Sequence, residues 1–504
     1  MSDVFLGIDI GTGSTKAVLT TAAGEVVAAA SAAHAMSLPR PGWAEMDAEG
    51  VWWTDVVRLC RELVDRSNGA RIKAVTCSGL GPCMLACDAD AQPLRPAMLY
   101  GIDMRAGEEI AELTRLFGED EIVARGGSAL STQAVGPKLA WLRRREPAVW
   151  QRTRRWYSSS SFIVARLTGE YVLDHHTASQ CDPLYDMTSE DWAWDWVEQV
   201  CPGIEMPRLA WAGDVVGEVT PEASAVTGLP IGTPVTAGTV DAWAEAFSGG
   251  VRRPGDLMLM YGSTMFFVQV LREYRTHPKL WTTKGVEPGT TTLAAGMSTS
   301  GTLTEWVREI TGNPSFEDLV TEAAAVPAGS DGLVMLPYFA GERTPIFDPR
   351  ARGTITGLTL RHRRGHLFRA AYEGIAFGIR QILAHLSVSE PIERLVAIGG
   401  GTQSSLWLQI VSDVTGRDQV VPAQTMGASY GDALLAAIAV GAADRTGAGW
   451  FATAEIVRPD ERRRSIYDEI FPVYTQLYPA ALNTMHTLAA FQEREGSAVD
   501  PRAT

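Results

Sequence analysis

Several common signatures are missing from these 504 residues, and each absence narrows what the chain can be. No lysine follows a glycine anywhere and no G-x-G-x-x-G follows a strand-like run, so neither a Walker A loop nor a dinucleotide or protein-kinase glycine loop is available. No stretch reaches the roughly 18–20 apolar residues that span a bilayer, and Met1-Ser2-Asp3-Val4-Phe5-Leu6 runs straight into a strand-like segment without a basic leader. Long basic runs are absent too. With a net charge of −15 the chain repels polyanions, which argues against DNA or RNA as partners. The six cysteines form no C-x-x-C pair and have no histidines at zinc spacing, so buried, reduced thiols and a cytoplasmic location are expected.

What is present is an ordinary globular composition, 46% apolar and 20% charged, in a chain long enough for two cores. Amphipathic stretches such as Val51 to Arg66 alternate with short apolar runs such as Ile72 to Thr76, the α/β signature. Two segments share a plan. Val4 to Asp9 leads through a turn at Gly11-Thr12-Gly13-Ser14-Thr15 into Lys16 to Leu19. Leu257 to Tyr261 leads through Gly262-Ser263-Thr264 into Met265 to Val268. Each reads as a β-hairpin with a glycine-and-hydroxyl turn. One such hairpin near the start of each half suggests two related domains, 1–249 and 250–490, followed by a polar tail at 491–504 that frays from about Gln492. The tryptophans of Trp192-Ala193-Trp194-Asp195-Trp196 read as a packing or interface cluster.

Three constellations have the residue types that phosphate chemistry needs. In the first turn, successive backbone N–H groups with Thr12, Gly13, Ser14, Thr15 and Lys16 make an anion-binding concavity, and Asp9 at the strand end suits Mg²⁺ held through water. Read locally, an ordinary hairpin with Asp9 capping its turn fits equally well. In Thr236-Ala237-Gly238-Thr239-Val240-Asp241, a strand ends where a helix begins, and Asp241 is placed to accept a hydroxyl proton. Taken alone, a helix-dipole role worth roughly 0.3–1 kcal/mol explains that carboxylate better. The third is Gly399-Gly400-Gly401 between an apolar strand and a helix through Trp407. There the missing side chains let backbone approach a flat ring or a phosphate. Gly296 to Gly301, leading to Glu305, repeats the strand-to-helix theme.

In this order the motifs resemble the FGGY family of carbohydrate kinases. Leu6 to Lys16 is similar to the family's first phosphate motif, and Pro337-Tyr338-Phe339-Ala340-Gly341-Glu342-Arg343-Thr344-Pro345 to its PYxxGERTP segment. Gly353-Thr354-Ile355-Thr356-Gly357-Leu358, seven residues, then His366 to Gly374 is the most specific match, and the resemblance runs from Leu6 to about Tyr478. It implies two ribonuclease-H-like domains of the actin/hexokinase-type ATPase fold with a central cleft, an α/β architecture, and transfer of the γ-phosphoryl of ATP, with Mg²⁺, to a small sugar. By the same resemblance Asp241 is the base and Ser263 stands where the family usually has threonine. Gly262, Gly301, Glu305, Gly400, Gly401 and Ser405 contact the nucleotide, and Asp103 and Arg105 contact the sugar.

The departures fall in the sugar pocket. Where xylulose kinases carry S-G-Q-M-H-G, this chain has Ser78-Gly79-Leu80-Gly81-Pro82-Cys83, and the aromatic two positions before D-x-R is Gly101. Gly79-Leu80 and Ala242 lack the polar groups a glycerol site needs, which disfavours glycerol. The expected acceptor is a ketopentose such as xylulose, contacted by Leu80, Gly81, Gln133, Asp103, Arg105 and Asp241. A tetrulose, ribulose, erythritol or ribitol is the alternative, and a silent sugar sensor or a chaperone-like ATPase the more distant ones. No partner beyond sugar and ATP is implied, apart from a second copy of the chain in a homodimer.

Overall fold

The computed structural model describes residues 2–424, 426–447 and 449–498. Two compact units divide the chain. The first holds the chain up to Arg252 together with Val270–Thr292 and Met426–Ala452; the second holds Arg253–Gln269, Leu293–Thr425 and the chain from Thr453 onward.

The sheet of the first unit is built from β1 (Asp3–Ile10), β2 (Ser14–Thr20), β3 (Val26–Ala33), β4 (Arg71–Gly79), β5 (Val215–Glu218), β6 (Pro234–Thr236) and β7 (Thr239–Val240). Its order is β5-β6-β4-β1-β2-β3, with β7 beside the end of β4. β1, β2 and β3 form antiparallel pairs, while β4 lies parallel to β1. The sequence dictates β1 directly, since Val4, Phe5, Leu6, Ile8 and Ile10 are all fully buried, each contributing about 1.5–3 kcal/mol. Gly7 interrupts that run for a reason: a Cβ there would lie 1.9 Å from the carbonyl oxygen of Ser429. The helix Ala428–Ala439 therefore presses directly onto the bare backbone of β1.

The second unit repeats the plan with β8 (Asp256–Tyr261), β9 (Met265–Leu271), β10 (Thr291–Met297), β11 (Arg394–Ile398), β12 (Gln419–Pro422) and β13 (Thr453–Val457). Their order, β10-β9-β8-β11-β12-β13, places a parallel strand beside the first strand of the hairpin, as in the first sheet. The 26-residue helix Arg364–Ser389 carries the Tyr372-Glu373-Gly374 signature. Buried Glu373 accepts hydrogen bonds from the Gly329 amide, Ser330, Arg369 and Tyr467, at 2.7–3.0 Å. A Cβ at Gly374 would lie 2.2 Å from the Met335 carbonyl oxygen. The longest sequence match is thus a packing motif.

Two local expectations change in detail. The helix expected from Val51 is α-helical only over Thr54–Arg66, and a wider π turn at Ala48–Trp53 precedes it, capped by Asp47. Chain from Gln492 does not fray at once, because the last helix runs Glu461–Ala498. Positions 499–504 of the expected tail lie outside the described residues. Two of the three clustered tryptophans pack, Trp192 meeting Trp156 and Tyr185 edge-on and Trp196 stacking on Phe117, while Trp194 is exposed. All six cysteines are buried and unbridged, and among the described residues no helix is long and apolar enough to cross a membrane.

Candidate active site

In the first unit the ends of β1, β4 and β7 bring Asp9, Ser78 and Asp241 together. Asp9 is opposite Ser78 in the β1–β4 register, and Val240, the last residue of β7, is opposite Gly79. Asp241 follows as the first residue of the helix Asp241–Ser248 and takes the Ala242 amide on Oδ1 at 2.7 Å. Gly238 allows the approach: at φ 70° its Cβ would sit 1.9 Å from the Cys77 carbonyl oxygen.

Burial lifts the Asp241 carboxyl to about 6, against the opposing pull of the Ala242 amide and Lys16. Asp9 is pushed well above the ordinary carboxylate range by burial and then by the Asp241 charge. Its Oδ1 is buried without a hydrogen-bond partner. Two carboxylates that the sequence reading did not single out join them. Glu245, one turn along from Asp241, is raised to about 7 by burial and by the Asp241 charge. Asp432, on the helix that packs over Gly7, accepts the Ser78 hydroxyl at 2.6 Å and the Ser78 amide at 3.2 Å on Oδ2. Its Oδ1 has no partner, and burial again raises its pKa. Glu245 was legible as an i,i+4 neighbour of Asp241. Asp432 was not, since only the tertiary fold joins residues 354 positions apart.

The first turn is braced from behind. His34 holds the Gly11 carbonyl oxygen at 3.0 Å and Asp55 at 2.8 Å, and Thr15 donates to the same Asp55 oxygen at 3.2 Å. Thr15 is fully buried, so its side chain supports the turn from the inside. Gly13 and Lys16 are exposed, Ser14 is half-buried, and the Thr12 hydroxyl is 2.8 Å from that of Tyr100.

The expected sugar contacts divide in two. The Asp103 and Arg105 side chains have no exposed surface; they form an ion pair at 2.6 Å, with Arg105 also reaching Glu45 at 2.8 Å and lying over Trp43. Asp103 further accepts the Ala44 amide at 2.8 Å. Leu80 belongs to the apolar core. Gly81 and Gln133 are linked instead, because the Gln133 amide donates to the Gly81 carbonyl oxygen at 3.1 Å and accepts from the Gly101 amide at 3.0 Å.

In the second unit the turn Gly262-Ser263-Thr264 is held by the start of the helix Gly301–Ile310. The Gly301 amide donates to the Gly262 oxygen and the Ser300 and Thr302 amides to the Ser263 oxygen, at 3.0–3.2 Å. These N–H groups are spent on the turn, while the Ser263 side chain stays exposed. Glu305 is bound to Arg308 on the same helix. The Gly399 to Gly401 turn is backed by Trp407, which meets Tyr261 edge-on and stacks on Tyr372. A Cβ at Gly401 would strike the Trp407 ring at 2.7 Å, whereas one at Gly400 would meet nothing within 4 Å. Ser405 is exposed.

Residues 4–248 match the N-terminal domain, and residues 257–440 the C-terminal domain, of the FGGY family of carbohydrate kinases. A xylulose kinase of Bacillus subtilis is 28% identical over 97% of this chain and 99% of its own length. A gluconokinase of the same organism is 25% identical over 98% and 99%. The crystal structure of xylulose kinase from Rhodospirillum rubrum superposes with a TM-score of 0.88 at 34% identity, covering 95% of this chain and 99% of that one. The chain belongs to the FGGY family of carbohydrate kinases. It is an ATP-dependent sugar kinase of the two-domain actin/hexokinase-type fold.

Proposed function

We propose that the acceptor is a ketopentose, xylulose in the first place, and that Asp241 is the base which removes the proton of the attacked hydroxyl. The observation that carries the role of Asp241 is its position as the first residue of a helix, beside the buried Asp9 carboxylate, with its pKa raised to about 6 by desolvation. Such a group is ionised at neutral pH yet basic enough to take a proton as the hydroxyl oxygen attacks the γ-phosphorus. Thr12, Gly13, Ser14 and Lys16 of the first turn hold phosphate oxygens. Ser263 and the Gly400 to Gly401 turn are the nucleotide-binding groups of the second unit. The name of the Bacillus subtilis and Rhodospirillum rubrum relatives supports xylulose, and the buried reduced cysteines support a cytoplasmic location.

Among the described residues no cluster of three or more His, Cys, Asp or Glu side chains is set to hold a metal by itself. Mg²⁺ keeps several waters and shares its shell with substrate phosphates, so one protein carboxylate is enough to anchor it. The orphaned Oδ1 of Asp9 gives such a hydrated ion a protein anchor. When bound, Mg²⁺ neutralises charge on the phosphates.

The test is ADP release over a panel of D-xylulose, D-ribulose, erythrulose, ribitol, erythritol, gluconate and glycerol. D-xylulose should give the highest kcat/KM. Asp241→Asn should lower kcat by about 10³-fold or more while ATP still binds. Near-normal turnover in that variant removes the role assigned to Asp241. A clear preference for gluconate or a polyol removes the ketopentose.

A further inference from the structure

The two places where this chain departs from the usual pocket, Gly81 and Gly101, are tied to one side chain. Gln133 accepts the Gly101 amide on Oε1 at 3.0 Å and donates to the Gly81 carbonyl oxygen at 3.1 Å. A Cβ at residue 101 would lie 2.7 Å from that same Oε1, so the amide of Gln133 occupies the space that a side chain at 101 would take.

From Gln133 the contacts continue inward. Its Nε2 is 3.3 Å from Gln180 Oε1, Gln180 Nε2 is 2.6 Å from His176 Nε2, and His176 Nδ1 is 2.7 Å from the Lys284 carbonyl oxygen. The end points fix every link. A carbonyl oxygen only accepts, so His176 carries its proton on Nδ1, and burial, which lowers the imidazole to about 3, leaves its Nε2 to accept from Gln180. Gln180 therefore turns its oxygen to Gln133, and Gln133 turns its own oxygen to the Gly101 N–H. Donation runs in one direction through four bonds, from the backbone N–H of Gly101 to the backbone oxygen of Lys284, and in such chains each bond polarises the next. Flipping either amide would set like atoms face to face at two links.

Three contacts place this chain of bonds beside the reacting groups. The His176 ring packs on Trp243, two residues beyond Asp241, with centroids 4.0 Å apart. A Cβ at Gly81 would sit 3.4 Å from Val240, the residue before Asp241. Tyr100, next to Gly101, has its hydroxyl 2.8 Å from that of Thr12 in the phosphate turn. His176 and Gln180 are buried, whereas Gln133, Tyr100, Gly101 and Thr132 are half-buried, so the outer end is the end open to a ligand. There Gln133 Oε1 keeps a second lone pair for a hydroxyl donor.

We infer that the Gln133 amide reads a hydroxyl of the acceptor sugar as the specificity-determining contact, with Gln180 and His176 as positioning residues. A polyhydroxylated acceptor supplies the hydroxyl that donates to Gln133 Oε1. A site that hydrogen-bonds a hydroxyl discriminates strongly against substrates that misplace it, because its polar groups are then left unpaired. The inference rests on the sugar-kinase reading and assigns its stereochemical selection to these side chains.

The test uses the full chain and two ketopentoses that differ only at C3, D-xylulose and D-ribulose. Gln133→Ala removes the contact. His176→Phe keeps a ring against Trp243 but removes the acceptor that orients Gln180. Gly101→Ala retains every polar group yet drives a methyl into Gln133 Oε1. The expected result is a KM for the preferred ketose raised tenfold or more in Gln133→Ala. The ratio of kcat/KM between the two epimers should fall at least fivefold in all three variants, with KM for ATP within twofold of the parent. Lowered melting temperatures with the ratio unchanged in the variants that fold would make the chain of bonds purely structural and overturn the inference alone. If the parent protein phosphorylates neither ketose nor any other sugar or polyol of the panel, the inference falls together with the reading beneath it.

Discussion

Asp241 has to be ionised to take a proton, and its environment sets where that happens. With its pKa at about 6 through burial, kcat/KM should fall on the acid side with a midpoint near pH 6 in the free enzyme. Lys16 opposes the shift, so Lys16→Met should move that midpoint upward; a profile that stays put would show that the Lys16 charge does not reach the base. Glu245 makes a stability prediction of the opposite kind from a salt-bridged carboxylate. Its folded pKa, about 7, lies above the unfolded value of 4.5, so the folded chain binds more protons between the two values. Stability therefore decreases as pH rises through that window. Glu245→Gln should melt higher than the parent at pH 8, by roughly 2 °C for each kcal/mol gained, and should match it at pH 4. A variant less stable than the parent at pH 8 would show that Glu245 is held by a partner charge instead.

At the level of single elements, two glycines with similar surroundings in the sequence have opposite jobs. Gly7 has a backbone oxygen 1.9 Å from where its Cβ would be, while Gly400 has nothing within 4 Å. Gly7→Ala forces β1 and the helix Ala428–Ala439 apart and should cost about 3 kcal/mol or more, read as loss of soluble protein or a greatly lowered melt. Gly400→Ala should leave the melt unchanged and raise KM for ATP several-fold with KM for the sugar unaffected, if the nucleotide lies against that turn. An unchanged KM for ATP removes Gly400 from the nucleotide site. Local pattern was enough to read β1, β2, β8 and β9 from the sequence, because apolar period and glycine turns act within a few residues. It was not enough to assign Thr15 or Asp103. Both have the right chemistry at the right spacing, yet Thr15 is directed to Asp55, and Asp103 is fully committed to Arg105 and the Ala44 amide. The direction of a side chain is decided by what packs behind it, and that comes from distant segments.

The whole molecule shows the same limit on a larger scale. Breakers at Gly249 to Gly255 mark a boundary in the sequence, but the first unit also takes in Val270–Thr292 and Met426–Ala452. Both later segments supply what residues 1–249 lack. The helix Ala428–Ala439 covers Gly7 and offers Asp432 to Ser78; Tyr430 donates to the Gly24 oxygen at 2.9 Å and Trp450 to the Ala22 oxygen at 3.0 Å. The segment Val270–Thr292 supplies the Lys284 oxygen to His176 and Thr292 to the Trp243 indole at 2.9 Å. A polypeptide of residues 1–249 would expose the apolar face of β1 and leave buried donors unpaired, at about 1–3 kcal/mol each, comparable in sum to the whole stability of a domain. It should therefore show no cooperative melt by circular dichroism and should elute as aggregate, and co-expression with residues 250–504 should restore a soluble complex that melts sharply. A sharp melt from residues 1–249 alone would mean that the first unit closes its own core without the later segments, and the dependence argued from Gly7 and Ser78 would then be wrong.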